Sequence, residues 1–189
     1  REESRAVALR ALVGRRQAHV SATDLSPAAL DALAERVVAM ARAAPEDPYC
    51  GLPGADELAS EPAELDLECD DTPEAAELER RGREGEAAAL AVAGVKQVSH
   101  AGAGWSRSSL SLAASNGFSA TRASGVSSIT VVAIAEGEGG MERDYESRSE
   151  RRGARLPAAT DIGRLAGERA AARLDARKLD SRTAAVIFD

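Results

Sequence analysis

The chain has 189 residues, of which 44% are hydrophobic and 29% are charged, enough for a substantial globular core. Its formal net charge of -7 argues against nonspecific duplex binding, because neutralising phosphates needs clustered Lys and Arg. No apolar run reaches the roughly 20 residues that cross a bilayer, and two cysteines do not make a disulfide framework. The sequence therefore predicts a soluble protein with reduced thiols and no nucleic-acid or membrane partner.

Two strands and a helix are predicted at the start of the chain. The apolar-rich residues 6–13 and 17–23 flank the turn-forming sequence GRR, which is typical of a hairpin. Ser26 and Pro27 then form a helix N-cap and first helical position, and an apolar stripe follows at helical spacing until Pro45. We expect this helix to pack on the sheet.

An acidic arm, residues 45–73, differs in composition from the rest of the chain. It has five prolines and ten acidic residues without any Lys or Arg. The rest of the chain has 24 basic and 21 acidic residues, so the net negative charge of the protein comes from this arm. A connection of this length is usually functional or disordered, which leaves two interpretations: a solvated linker that wraps the surface, or a segment that docks on a basic partner surface. We expect Leu65 and Leu67 to pin the arm to the core.

A second helix is predicted over residues 74–93, with Thr72 as its cap and Pro73 at its first position. Gly82 and Gly85 each weaken a helix by about 0.5–1 kcal/mol relative to Ala. Either these glycines permit close approach to the sheet, or the helix is tolerated rather than strong.

An antiparallel meander follows and is the clearest architectural signal. Residues 95–101 are predicted as a strand, after which the glycines of 102–104 loosen the chain. Residues 109–114 alternate as a half-buried strand, and Ser-Asn-Gly at 115–117 provides a turn. The apolar, β-branched run 129–135 is typical of a central strand covered on both faces.

The last strand of the meander, residues 141–148, carries the chain's clustered carboxylates. Alternation places one trio on each face: Met141, Arg143 and Tyr145 against Glu142, Asp144 and Glu146. A hard metal ion needs convergent ligands, whereas a flat strand spreads them, so a solvated or salt-bridged acidic face is favoured over a metal site. We expect Arg143 to be buried and paired.

A third helix and a final strand complete the predicted elements. The helix spans residues 158–176, starts at Thr160 or Asp161, and ends in cations that complement its dipole. These cations are Arg173, Arg177 and Lys178. Residues 184–188, AAVIF, are expected to form a short buried strand.

No residue is assigned a catalytic, cofactor-binding or metal-ligating role. His19 and His100 lack a second ligand or an orienting acid nearby, and Cys50 and Cys69 are interpreted as reduced thiols. The sequence has no zinc-binding His-Glu-x-x-His, no Cys-x-x-Cys, no phosphate-binding loop and no Gly-x-Ser-x-Gly elbow.

Six segments, taken together, resemble the TldD/TldE (PmbA) family, and specifically its TldE/PmbA branch. They occur in consistent order over nearly the whole chain: SATDLSP at 21–27, PEDPYCGL at 45–52, LDLECDD at 65–71, SNGF at 115–118, MERDYE at 141–146 and ARKLDSRTAAVIFD at 176–189. The resemblance implies a fragment from the N-terminal part of the parent protein. A helix and strands would precede residue 1, and a β-rich domain would follow residue 189.

The resemblance also implies a function. It indicates a cytoplasmic bacterial protein that pairs with TldD in a heterodimeric metalloprotease acting on peptides or unfolded proteins, such as microcin precursors and antitoxins. The zinc-binding His-Glu-x-x-x-His helix would belong to TldD, so zinc is expected in the partner subunit and no cofactor in this chain. An older label of the family is modulator of DNA gyrase.

These observations lead to an expected architecture and three functional hypotheses. The architecture is one α+β domain over residues 1–189, truncated at both ends, in which an antiparallel or mixed meander packs with about three helices. The leading hypothesis is a non-catalytic domain that helps enclose a peptide substrate for the partner's zinc site. The alternatives are the N-terminal part of a zinc peptidase whose metal motif lies beyond residue 189, and a regulatory module that binds gyrase.

Overall fold

The computed structural model describes residues 2–59, 63–69, 72–176, 180–181 and 183–188. In chain order the helices and strands are β1 (Val7–Val13), β2 (Arg16–Ala22), α1 (Pro27–Ala43), α2 (Ala75–Leu90), β3 (Val95–Ala113), β4 (Ser119–Gly137), β5 (Gly140–Glu150) and α3 (Ala159–Ala172). Short 3-10 turns lie at Ala55–Glu57 and Gly153–Arg155. The α+β class is confirmed, and every strand pair is antiparallel.

The described residues form two compact units, whereas the sequence predicts one domain. The first unit contains the residues up to 59 together with 114–118, and the second contains 63–113 and the chain from 119 onward. Each unit is described separately below. No helix in the described ranges is long and apolar enough to cross a membrane.

The first unit is a hairpin covered by one helix. β1 and β2 pair from Val7 opposite Ala22 to Val13 opposite Arg16, and Gly14 takes a positive φ of +60° at the turn. Left-handed backbone at this position suits glycine, which has no side chain to clash. α1 contacts both strands and buries Leu33, Val37 and Ala41, so its apolar stripe forms the core of this unit.

α1 begins at the predicted residues, but the expected side-chain cap hydrogen bond is not formed. Ser26 is the N-cap and Pro27 is the first helical residue, yet the Ser26 side chain makes no cap hydrogen bond. Instead the Ser26 backbone N–H donates to the Asp24 carboxylate over 2.9 Å, and this bond lowers the pKa of Asp24. Asp24 therefore fixes the chain just ahead of the helix.

The second unit is a three-stranded sheet in the order β3-β4-β5, with α2 and α3 packed on one face. We call this helix-covered face the inner face and the opposite one the outer face. The fully buried side chains of β4 all lie on the inner face: Ser127, Ile129, Val131, Ala133 and Ala135. The central position predicted for residues 129–135 is confirmed, but full burial on both faces is wrong, because the two helices share a single face.

Glycines allow the helices of the second unit to approach one another and the sheet closely. A Cβ atom on Gly85 would lie 2.9 Å from a methyl carbon of Val131, and one on Gly82 would lie 3.4 Å from the carbonyl oxygen of Ala101. In α3, a Cβ atom on Gly163 would lie only 2.0 Å from the carbonyl oxygen of Gly85. Of the two interpretations of Gly82 and Gly85, the structure supports close approach.

The predicted break at residues 102–104 is wrong, because β3 continues through them as one strand of 19 residues. Gly102 pairs with Thr130 and Gly104 pairs with Ser128. Pairing with β4 therefore keeps this segment in a strand, although its glycines have little preference of their own for that conformation. The turn predicted at 115–117 is confirmed, with Gly117 at a φ of +93°.

Two helices begin at other residues than predicted. α2 has Glu74 as its N-cap in place of Thr72, and the carbonyl oxygen of Pro73 accepts a hydrogen bond from the Trp105 indole over 3.2 Å. α3 has Ala158 as its N-cap, because the carbonyl oxygen of Ala158 accepts the first-turn N–H of Asp161 over 3.0 Å. The carbonyl oxygen of Glu74 likewise accepts the N–H of Glu77 over 3.0 Å, so backbone hydrogen bonds set both starts, and neither cap side chain makes a capping hydrogen bond.

The apolar segment near residue 188 is not the buried strand that the sequence predicts. Val186, Ile187 and Phe188 are 70%, 94% and 89% exposed, and the segment pairs with none of the described strands. A strand requires a neighbour for its backbone groups, and apolar composition alone does not supply one. Two of the cations predicted after α3, Arg177 and Lys178, lie outside the described residues.

Candidate functional site

The carboxylates of β5 lie on the inner face of the sheet, which reverses the prediction for this strand. Glu146 is opposite Val131 and Asp144 is opposite Ala133, so both side chains point towards α3. Met141 and Tyr145 are 70% and 58% exposed on the other face. Arg143 is exposed with them, so the expectation of a buried, paired Arg143 is wrong.

Glu146 is the most buried charged residue of the described chain, with a side-chain exposure of 0%. It forms ion pairs with Arg148 on its own strand and with Arg169 on α3. A buried carboxylate requires such partners, because an uncompensated charge in the interior costs several kcal/mol. Glu146 therefore connects α3 to β5. Of the two expectations for the acidic face, solvated or salt-bridged, the structure supports the salt-bridged one for Glu146.

Asp144 makes the corresponding ion pair one turn further along α3. Its partner is Arg173, and the Tyr145 backbone N–H also donates to the Asp144 carboxylate over 2.7 Å. The Arg173 hydrogen bond, followed by the backbone one, lowers the pKa of Asp144. Arg173 thus binds a carboxylate, and the helix dipole is not the only explanation of its placement.

These acidic residues do not form a metal site. No three His, Cys, Asp or Glu side chains in the described ranges lie close enough together to hold a metal ion. The carboxylates of Asp144 and Glu146, which face α3, instead form ion pairs with arginines of the α3 segment. The residues of this part of the chain therefore do not fit zinc, and no metal-dependent step is assigned to them.

The acidic arm docks at one edge of the second sheet. At Gly125, beyond the last β5 pairing, the free N–H of β4 donates to the carbonyl oxygen of Leu67 over 2.9 Å. Arg151 donates to the same carbonyl over 3.0 Å, and Arg122 donates to the carbonyl oxygen of Ala63 over 3.0 Å. Polar contacts to the backbone therefore anchor this part of the arm.

Two carboxylates of the arm add ion pairs to these backbone contacts. Asp66 pairs with Arg152, and Glu68 pairs with Arg107 over 2.9 Å. The hydrogen bond from Arg152 lowers the pKa of Asp66, whose backbone has a positive φ of 48°. Leu65 is 55% exposed, so the prediction that it pins the arm to the core is wrong.

Cys69 lies directly against the sheet where the arm crosses β4. A Cβ atom on Gly125 would be 2.4 Å from the Cβ atom of Cys69, so only glycine leaves room for the arm there. The Cys69 thiol is 3.4 Å from the hydroxyl oxygen of the buried Ser127. Neither Cys50 nor Cys69 forms a disulfide within the described residues.

Beside the docked arm lies a polar cavity of about 700 Å³, which we call the arginine–serine cavity. Its lining residues are Leu65, Asp66, Ser106, Ser108, Ser124, Gly125, Val126, Ser149, Glu150, Arg151, Arg152 and Arg155. The register places the four serines on the outer face of the sheet. The arginines come from the connection between β5 and α3, so the cavity has a hydroxyl floor and a basic wall.

The opposite edge of the same sheet is formed by β3. This strand has 19 residues and pairs with β4, and no second strand pairs with it in the described part of the chain. His100 is exposed on this strand near a shift in register, and His19 is exposed on β2 of the first unit. Neither histidine belongs to a cluster of possible metal ligands within the described ranges.

Sequence reasoning did not select the arginines that hold the arm. Arg107, Arg122, Arg151 and Arg152 are far from the arm in sequence and share no motif. One signal was present: the acidic arm contains no Lys or Arg, so its partners had to come from elsewhere. That charge pattern alone does not say whether those partners belong to this chain or another.

The comparisons with known proteins agree on one family. The model of the PmbA/TldA metallopeptidase central domain matches residues 65–174, and the model of domain 1 of the same family matches residues 1–41. No curated protein sequence matches significantly.

Three solved structures share the fold. A candidate modulator of DNA gyrase from Bacteroides thetaiotaomicron matches with a TM-score of 0.81 and 19% identity, over 91% of this chain and 40% of that one. Another from Thermotoga maritima has a TM-score of 0.75 and 13% identity, over 94% and 39%. TldE from Thermococcus kodakarensis has a TM-score of 0.67 and 13% identity, over 88% and 37%.

The chain thus spans about two fifths of the length of these solved relatives. Its central-domain match covers more than half of its own residues and includes the second sheet with both of its helices. The chain belongs to the PmbA/TldD family.

Proposed function

We propose that this chain is the substrate-holding part of a TldE/PmbA-like subunit, non-catalytic by itself, in a bacterial cytoplasmic heterodimer with a TldD-like metallopeptidase subunit. The observation that carries the proposal is the long edge strand β3, which pairs on one side with β4. An extended peptide can add to such an edge through main-chain hydrogen bonds, with little demand on its sequence.

The edge of β3 suits a peptide substrate because helices support the sheet from its inner face. α2 and α3 both pack on the inner face, so the strands are held in place without any contribution from a bound peptide. Peptides and unfolded proteins share a free backbone and little else, and backbone pairing suits such a varied class of substrates. The zinc of the proposed complex belongs to the TldD-like subunit, as the resemblance to the TldE/PmbA branch implies.

The proposal is tested by measuring bound zinc and peptide cleavage in three samples. These are the 189-residue chain, its longer parent protein, and the parent mixed with a TldD-like subunit. We expect cleavage only in the mixture, with zinc bound by the TldD-like subunit. Zinc-dependent cleavage by the 189-residue chain alone would contradict the proposal.

A second candidate is that the longer parent is itself the zinc peptidase. It is favoured by the description of the matching models as metallopeptidase domains, and by the short share of the relatives that this chain spans. The same samples separate the two candidates: stoichiometric zinc and cleavage by the parent without a partner would decide for the second. Binding to gyrase without binding to a TldD-like subunit, measured by pull-down, would favour a regulatory role instead.

A further inference from the structure

We propose that the arginine–serine cavity binds the carboxylate side chains of an extended acidic peptide. The inference rests on the proposed function and narrows its substrate class, from peptides in general to peptides with acidic segments. The cavity lies beside the edge of β4 at Gly125, where the arm already docks through its backbone.

The basic wall can receive a carboxylate. Arg155 lines the cavity, is exposed, and makes no side-chain hydrogen bond or ion pair within the described residues. A guanidinium group offers several donors in a planar arrangement that matches the two oxygens of a carboxylate. Arg151 and Arg152 lie on the same wall, where both also hold the arm.

The floor offers further donors. The hydroxyl oxygens of Ser108 and Ser124 are 2.9 Å apart and hydrogen-bonded to each other. Whichever hydroxyl accepts in that pair keeps its own hydrogen, which is free to donate to a ligand oxygen. Ser106 and Ser149 add two more hydroxyl groups to the lining.

The arm itself provides an example of the proposed recognition. Asp66, from an acidic and extended segment, places its carboxylate on Arg152 at the cavity wall. Glu150 also lines the cavity and opposes an anion, but three arginines outnumber these two acids. The charge of the wall therefore remains positive with the arm in place.

The dimensions of the cavity also fit. Pockets that bind ligands commonly have volumes of about 300–1,000 Å³, and this cavity, at about 700 Å³, can admit several peptide side chains. The neighbouring backbone contacts at Gly125 show that a chain segment can approach this edge closely.

The test is a binding titration of the full 189-residue chain with a short fluorescent peptide in which glutamate alternates with serine. Three variants accompany the wild type: Arg155→Gln, Asp66→Asn and, as a matched control outside the cavity, Arg164→Gln on the exposed side of α3. Circular dichroism confirms that each variant is folded. A second peptide carries glutamine in place of glutamate.

We expect Arg155→Gln to weaken binding of the acidic peptide by about fivefold to tenfold, from the loss of a charge-assisted hydrogen bond. Asp66→Asn should tighten it by about twofold or more, because it removes a competing anion from Arg152. Arg164→Gln should leave it unchanged, and added salt should weaken it.

Equal affinity for the glutamine peptide, or wild-type affinity in Arg155→Gln, would overturn the inference. Complete competition by an equal concentration of inorganic phosphate would also overturn it, since the site would then be one for small anions. These failures differ from a failure of the proposed function: a chain that does not bind the acidic peptide can still support cleavage by a TldD-like subunit.

Discussion

On β5 the face that carries the acidic side chains is buried and the face that carries Met141 and Tyr145 is exposed, which is the reverse of what their composition suggests. The inner face of β5 holds the carboxylates of Asp144 and Glu146, whereas the outer face exposes Met141 and Tyr145. The inner carboxylates are tolerated because arginines of α3 reach them. The buried face of a strand is therefore set by what packs on it, and charged side chains can be buried when the covering helix provides their partners.

The largest expected effect comes from adding one methyl group where α3 contacts α2 on the inner face of the sheet. Gly163→Ala would place a Cβ atom 2.0 Å from the carbonyl oxygen of Gly85, and backbone cannot yield without moving a helix. We expect a loss of about 3 kcal/mol or more in the free energy of unfolding, measured by urea denaturation. The matched control on the outer face is Gly104→Ala, which meets nothing within 4 Å. Equal losses in both variants would contradict the assignment of the faces.

A smaller effect is expected from removing one arginine of the buried ion pair. Arg169→Ala leaves the Glu146 carboxylate buried with Arg148 as its remaining partner, which should cost about 1–3 kcal/mol. Arg164→Ala on the same helix removes exposed ion pairs to Glu168 and Asp161 and should cost no more than about 0.5 kcal/mol. If thermal denaturation gives the two variants the same stability, Glu146 does not fasten α3.

The ion pair between Asp144 and Arg173 makes the stability of the protein depend on pH. Because the pKa of Asp144 is lowered in the folded state, its stabilising contribution is present above its unfolded pKa of about 4 and is lost as the pH falls below that value. Asp144→Asn should therefore lower stability at neutral pH, and the difference from wild type should shrink on acidification. Urea unfolding at a series of pH values measures this difference. A gap that widens towards low pH would show that Arg173 is not the cause.

The smallest effect is expected on the outer face. Tyr145 is 58% exposed, so Tyr145→Ser should change the free energy of unfolding by no more than about 0.5 kcal/mol, measured by the same urea denaturation. A loss as large as that of Arg169→Ala would mean that the outer face is covered in solution.

The sequence was sufficient for the elements with a strong local period or turn. The hairpin at Gly14, the start of α1 at Pro27 and the turn at Gly117 follow from residues whose backbone preferences are local. The central position of residues 129–135 followed from their apolar, β-branched composition. These features need no knowledge of distant partners.

The errors have a common physical cause, which is that distant partners decided the outcome. The glycines of 102–104 stay in a strand because β4 pairs with them, and Val186 and Ile187 are exposed because no described strand does. Alternation correctly grouped Asp144 with Glu146 but could not say which face α3 would cover. The arginines that bind the arm could not be predicted either, since their contacts join residues far apart in sequence.

Amide hydrogen exchange can show whether the edge of β3 holds an extended peptide. Exchange would be followed residue by residue by NMR in the 189-residue chain, with and without an excess of an unstructured peptide. We expect new protection at alternate residues of Val95–Ala113, those whose N–H groups point away from β4. Unchanged exchange along β3 while the peptide is bound would contradict it.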